Sequence, residues 1–180
     1  MISLIIAKRY AKALLRIGLK DGNYKALGQD LNKMADLLRE SKELRVALWS
    51  AAFPKSNRSA INRKIGERLG LAKMTIDFIE LLIQKKRIDH FFMITKAYRD
   101  LCDEVAGRTR VTLATPMELP SGLVQEIKSL IESMTGKEAI LSFEKDPSLI
   151  GGVLMKNGNV VYDGSLKAQI AELRDNLCKE

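Results

Sequence analysis

The residues whose types and spacing could do chemistry are a glycine cluster, a pair of carboxylates, one histidine and two cysteines. Gly151, Gly152 and Gly158 lie close together, as in a loop that cradles phosphate on backbone amides. A dinucleotide loop needs G-x-G-x-x-G opening a helix, and a P-loop needs G-x-x-x-x-G-K-[ST]. The three glycines fit neither pattern, and a strand pattern follows them where both motifs require a helix, so they read as turn and bulge. Asp77 and Glu80 are three apart on a helical pattern, within reach of acid/base work, but they flank Lys73 on a narrow polar sector and read as a solvated face. His90 has no neighbour at metal-ligand spacing and reads as a surface or interhelix residue. Cys102 and Cys178 are far apart in helical patterns, which points to a reducing compartment without a disulfide framework. With no G-x-S-x-G, no Cys/His pairing and no Walker sequence, the chain names no catalytic residue, cofactor or metal.

The element that positions the glycines spans Asp146–Leu177. Two short apolar runs, Val153–Lys156 and Asn159–Tyr162, are separated by Asn157-Gly158, the dipeptide favoured at the two φ > 0 positions of a type I′ hairpin. Pro147 and Gly151-Gly152 precede the hairpin and permit a bulge or a close backbone approach. Asp163-Gly164-Ser165 ends it and offers Ser165 as N-cap to a last helix with Leu166, Ile170, Leu173 and Leu177 as its stripe.

A chain of 180 residues is long enough for one large domain or two small ones. No apolar run approaches the roughly 20 residues of a bilayer span, and Lys8 and Arg9 interrupt the apolar start too early for a signal peptide. The sequence thus reads as a soluble protein made where it works. Its net charge of +8 is uneven: residues 1–106 carry 21 Lys+Arg against 12 Asp+Glu, and residues 107–180 carry 9 against 10. That asymmetry predicts two domains with different partners, 1–106 and 107–180.

Six helical patterns fill the first part, over about 2–20, 24–39, a short one capped by Ser41, one capped by Ser56 or Asn57 and ending at Gly70, 71–86, and 88–106 with Gly107 as its stop. Beyond Gly107 the period changes. Val111 and Leu113 alternate with polar residues, Leu123, Val124, Ile127, Leu130, Ile131 and Met134 make an amphipathic helix stopped by Gly136, and Ala139, Leu141 and Phe143 alternate again. The predicted fold is mainly α, an N-terminal six-helix bundle followed by a small α+β module in β-α-β-β-β-α order.

Two of these helices are apolar over too wide an arc. Placed at about 100° per residue, the first runs from Ile2 through Ala13, Ile6, Ile17, Tyr10, Leu14, Ala7 and Ala11 to Leu4 and Leu15, roughly 220° where a surface helix needs little more than 100°. The fifth covers a similar arc from Leu81, Met74 and Phe78 round to Ile83 and Ile76. Either both helices are nearly surrounded by neighbours, or one flank of each joins the core while the other forms an exposed groove suited to an amphipathic helix of a partner. The candidate groove residues are Ile6, Tyr10, Ala13 and Ile17 with Met74, Phe78 and Leu81; the periodicity leaves the Ile76/Ile83 flank of the fifth helix open as the alternative.

DPSLIGGVLMKNGNVVYDGSL closely resembles the C-terminal signature of the delta subunit of F-type ATP synthases, the bacterial counterpart of the mitochondrial oligomycin-sensitivity-conferring protein. AKRYAKALL is similar to that family's N-terminal RYAKAL pattern, and ELLIQKKRIDHFFMITKAYRDLCDEVAG resembles its LLxxKRRxxxL…I…Y…L…E segment, with Phe91-Phe92 where an aliphatic residue is more usual. The resemblance implies a non-catalytic stator subunit without cofactor. Its six-helix domain would bind the N-terminal helix of an alpha subunit between the first and fifth helices, and its C-terminal portion would join the peripheral-stalk b subunits. It further implies one copy per complex, no nucleic acid, and attachment to the cytoplasmic side of the bacterial membrane only through the complex. The alternative is an RNA-binding helical domain, since the first part is basic. Its basic residues are dispersed over several helices and seldom interleaved with aromatics, as stacking platforms would require.

Overall fold

The computed structural model describes residues 2–50, 53–117, 119–158 and 160–177, with the backbone alone for Ile2, Glu172 and residues 175–177. Asn159, Cys178 and the side chain of Leu177 therefore lie outside the described residues. The chain is mainly helical with one small sheet. Helices α1 (Ile2–Lys20), α2 (Tyr24–Glu40), α3 (Lys42–Trp49), α4 (Lys55–Arg68) and α5 (Lys73–Gln84) come first, then a 3-10 turn at Ile88–His90 and α6 (Phe91–Val105).

Local chemistry sets most of these boundaries. Ser41 Oγ accepts a hydrogen bond from the Leu44 amide at 3.2 Å, starting α3 where the sequence placed a cap. Gly70 and Gly107 stop α4 and α6 in the left-handed region, with φ of 62° and 65°. α4 begins earlier than expected. Its N-cap is Pro54, whose carbonyl accepts from the amides of Asn57 and Arg58, so neither Ser56 nor Asn57 caps it. The six helices share a core in which Leu27, Leu31, Met34 and Leu38 of α2 meet Ile79, Leu82 and Ile83 of α5 and Phe91, Ile94 and Tyr98 of α6. Burial raises the pKa of Tyr98, and its hydroxyl donates to the Tyr24 carbonyl at 2.9 Å.

The remaining elements are β1 (Arg108–Thr115), α7 (Ser121–Thr135), β2 (Glu138–Lys145), a 3-10 turn at Pro147–Leu149, β3 (Gly152–Asn157), β4 (Val160–Ser165) and α8 (Leu166–Leu177). The sheet order is β2-β1-β3-β4, with β1 parallel to β2 across α7 and antiparallel to β3. Its core is small: Val111, Leu113, Ile131 and Ala139 are buried, with Ile127, Leu141, Val153 and Met155 packed against them. Phe143, at the end of the alternation predicted for β2, is 51% exposed.

The hairpin differs from expectation by one residue. Asn157 pairs with Val160 across the turn and with Val111 on β1, so it remains in the ladder, and Gly158, at φ 59°, becomes the first turn residue. The pairing with β1 outweighs the turn preference of Asn-Gly, which sees only its own hairpin. Ahead of β3, the Asp146 carboxylate accepts from both the hydroxyl and the amide of Ser148, which hold its pKa below the ordinary range. Ile150 then adopts φ 63° and ψ −46°, with the Gly151 amide donating to the Leu149 carbonyl at 2.6 Å, a left-handed γ-turn that is rare for a β-branched residue. Leu149 is buried beside it and Ile150 is 70% exposed. Ser165 Oγ accepts from the Ala168 amide at 3.2 Å and starts α8 as the sequence suggested.

The chain forms two compact units, Met1–Cys102 and Asp103–Glu180. The division falls inside α6, whereas the charge and period change placed it at 106/107. The Asp103 carboxylate accepts from Nε and a terminal nitrogen of Arg110, both at 3.0 Å, and so belongs with β1.

Gly152 gives a direct test of the signature's role. At φ 83°, a Cβ there would stand 2.3 Å from the Gly164 carbonyl oxygen and 2.9 Å from Ser165 Cα. Gly152→Ala should destabilise the second unit by roughly 3 kcal/mol or more. Hydrogen exchange should show lost protection in β3 and β4, while the unfolding transition of the sole tryptophan, Trp49 in the first unit, stays where it was. Retained β3–β4 protection would refute the close-approach argument.

Candidate partner-binding groove

On α1, Ala7, Ala11, Leu14 and Leu15 are buried, whereas Ile6 and Tyr10 are half-buried and Ala13 and Ile17 are exposed. On α5, Thr75, Ile79, Leu82 and Ile83 are fully buried; Phe78 is nearly so, Met74 is half-buried and Leu81 is 39% exposed. Each wide arc is therefore split along its length, with one flank in the core and one facing water. Full enclosure of the two helices fails at Ala13, Ile17 and Leu81.

α1 and α5 touch through one aromatic pair. The rings of Tyr10 and Phe78 pack edge to face, with centroids 6.5 Å apart and planes at 67°, a favoured aromatic geometry. This pair makes a floor between α1 and α5. Ile6, Ala13 and Ile17 border it on α1, and Met74 and Leu81 on α5. All seven residues selected from the sequence thus lie on the exposed or half-buried flanks or in the floor that joins them.

α4 decides which flank of α5 turns outward. A Cβ at Gly66 would stand 2.5 Å from Ile76 Cγ1, so glycine lets Ile76 press against the α4 backbone. Asn62 Nδ2 donates to the Ile76 carbonyl at 3.0 Å, and Arg63 pairs with Glu80 at 3.2 Å. Ile83 is fully buried and Ile76 packs on α4, so the Ile76/Ile83 flank faces the chain's own helices. Glu80 is thereby a structural ion-pair partner. Asp77, beside it, is exposed.

Sequence reasoning missed Asp30. This α2 carboxylate is 7% exposed and accepts from the Ala72 amide at 2.8 Å and from Thr75 Oγ1 at 3.2 Å. It supplies the cap that Ala72, the N-cap of α5, lacks, since no side chain of its own helix bonds there. The signal was present: a carboxylate lies among Leu27, Leu31 and Met34 on an otherwise apolar stripe. Such a residue must find donors when buried.

These flanks offer an apolar surface, and the seven residues include no carboxylate, thiol or imidazole. Its chemistry is that of surface burial: an amphipathic helix laid along it would cover Ile6, Ala13, Ile17, Met74 and Leu81 and meet the aromatic floor.

Residues 6–177 match the model of the family described as ATP synthase delta (OSCP) subunit. The chain is 40% identical over 177 residues to the ATP synthase subunit delta of Syntrophobacter fumaroxidans, covering 98% of this chain and 97% of that one. It is 35% identical over 179 residues to the ATP synthase subunit delta of Desulfosudis oleivorans, covering 99% and 98%. Its fold superposes with a TM-score of 0.76 on a chain of the Toxoplasma gondii mitochondrial ATP synthase hexamer, at 22% identity and with 96% and 97% coverage.

The dependence of the α5 wall on α2 is testable in the chain alone. Asp30→Ala should cost about 1–3 kcal/mol of stability, because it uncaps α5 and leaves the Thr75 hydroxyl buried without its acceptor. Chemical denaturation followed by Trp49 fluorescence would measure it. Unchanged stability would remove Asp30 from the groove's supporting frame.

Proposed function

Because the chain belongs to the ATP synthase delta (OSCP) subunit family, as a peripheral-stalk component of an F-type ATP synthase, we propose that it couples the two ends of the stator through two separate contacts. The α1/α5 groove receives the N-terminal helix of an alpha subunit, and the second unit joins the b subunits of the stalk. The observation that carries this reading is the Tyr10–Phe78 ring contact between α1 and α5 with Ala13, Ile17 and Leu81 exposed on the same two helices. For the second contact, support comes from α8, whose stripe leaves Leu166, Ile170 and Leu173 between 46% and 61% exposed. An uncovered apolar row of that length marks a surface that a partner completes.

The subunit acts without catalysis and without cofactor, one copy per complex. A stator bears torque while the rotor turns, so it depends on contacts that do not slip. A dry helix-in-groove contact meets that need better than exposed ion pairs, which are worth about 0–1 kcal/mol each. Among the described residues no helix is long and apolar enough to cross a membrane. Attachment then comes through the complex, on the cytoplasmic side of the bacterial membrane. The division of labour follows domains 1–106 and 107–180, with Gly107 ending α6. The RNA-binding alternative finds no support in the family, and the chain's stacked aromatics, Trp49 and Phe92 at 5.9 Å, are engaged with each other.

Ala13→Asp should leave the melting temperature close to that of the parent chain, because Ala13 is exposed and Arg9 and Arg16 flank it on the helix. The same change would put a charge into the apolar contact and should weaken binding of the alpha-subunit N-terminal peptide by about a hundredfold, measured by calorimetry. A folded variant with full peptide affinity would move the site elsewhere.

Membranes stripped of the subunit should lose ATP-driven proton pumping, while detached headpieces go on hydrolysing ATP, and adding the chain back should restore pumping. ATP hydrolysis by the purified chain that scales with its concentration and survives repurification would contradict the non-catalytic role.

A further inference from the structure

The two rims of the groove are electrically unlike. α1 carries Lys8, Arg9, Lys12, Arg16 and Lys20 and not one acidic residue. At about 100° per residue, Lys20, Arg9 and Arg16 follow Ala13 around the helix on the side away from the core, so they stand along the outer edge of the trough. All three are exposed, and none makes an ion pair with another described residue. The α5 rim is close to neutral. Asp77 follows Leu81, Gln84 and Lys73 come next, and Lys85 lies just past the helix end; Glu80, farther round, is matched by Arg63.

We infer that the groove takes an amphipathic helix with an acidic edge, that this edge lies over α1, and that the charge difference between the rims fixes the direction in which the helix lies. The inference rests on the groove being a helix-binding site. Apolar burial alone cannot set direction, because a helix turned end for end presents the same stripe to the same floor. Turning it exchanges its two edges, however, and an acidic edge would then leave Arg9, Arg16 and Lys20 for a rim on which Asp77 and Lys73 cancel. Charged rims add modest affinity but discriminate between arrangements and speed encounter. For a subunit that must be loaded in one orientation, that discrimination is what the basic edge supplies.

The test uses the full chain and synthetic helical peptides of one apolar stripe, with glutamate along one edge and glutamine along the other. A control peptide carries lysine in place of glutamate. The glutamate peptide should bind about tenfold more tightly at low salt, with the gap closing as salt screens the rim. Arg9→Glu with Arg16→Glu should reverse the preference. A nitroxide on the peptide N-terminus should broaden amide signals at one end of α1 only, and moving the glutamates to the other edge should move the broadening to the opposite end. Equal affinities for both peptides, each abolished by Ala13→Asp, would overturn the charge inference and leave the groove standing. Peptide binding indifferent to Ala13→Asp would overturn the groove and the inference with it. Binding of the chain to anionic vesicles that is lost in the Arg9/Arg16 variant, without any peptide preference, would assign the basic edge to a lipid surface instead.

Discussion

Asp30 holds α5 from the side: its carboxylate, carried on α2, accepts the Ala72 amide and the Thr75 hydroxyl where α5 begins. The groove depends on this bond, together with the contact of Ile76 on Gly66, because between them they fix how α5 is rolled about its axis. A helix that is apolar over roughly 220° would otherwise have little reason to present one flank rather than another. Capped by α2 and pressed on α4 through Ile76, α5 buries Ile79 and Ile83 and leaves Met74 and Leu81 toward water. Tyr10 then has Phe78 to pack against, and the trough follows.

The two units solve different physical problems. The first has a large core to which α4 adds only the half-buried Ile61 and Ile65. The second has a small core and leaves much of its apolar surface in water, including Ile150, Leu166, Ile170 and Leu173. Its stability is concentrated in backbone contacts. Gly152 approaches the Gly164 carbonyl, the Gly151 carbonyl accepts the Leu166 amide at 3.0 Å, and Ser165 caps α8. The glycine-rich signature that first suggested a phosphate loop is what allows these strands and the start of α8 to come so close.

The charge asymmetry fits the same division. The basic excess belongs to the first part, where α1 carries five cations and no acid, and the sheet-bearing part is nearly balanced. Long-range attraction from a basic surface raises encounter rates with an acidic partner.

How much of this could be read from the chain depends on the range of the interaction concerned. Ser41 and Ser165 as caps, and Gly70, Gly107 and Gly136 as stops, act within a turn of their own positions, so local sequence was enough to place them. The width of the two apolar arcs was likewise legible, because helical periodicity is a property of one segment. The hairpin was misplaced by one residue because β1, far away in sequence, holds Asn157 in the ladder. The turn at α4 moved because Pro54 supplies a carbonyl where a side-chain cap was expected. The outward flank of α5 and the role of Asp30 were decided only by tertiary packing, since they join α2, α4 and α5 across 14 to 45 positions of chain. Amino-acid types thus determined which helices had apolar surface to spare, and folding decided which part of it would face water, because only neighbouring backbones can settle how a nearly all-apolar helix is turned.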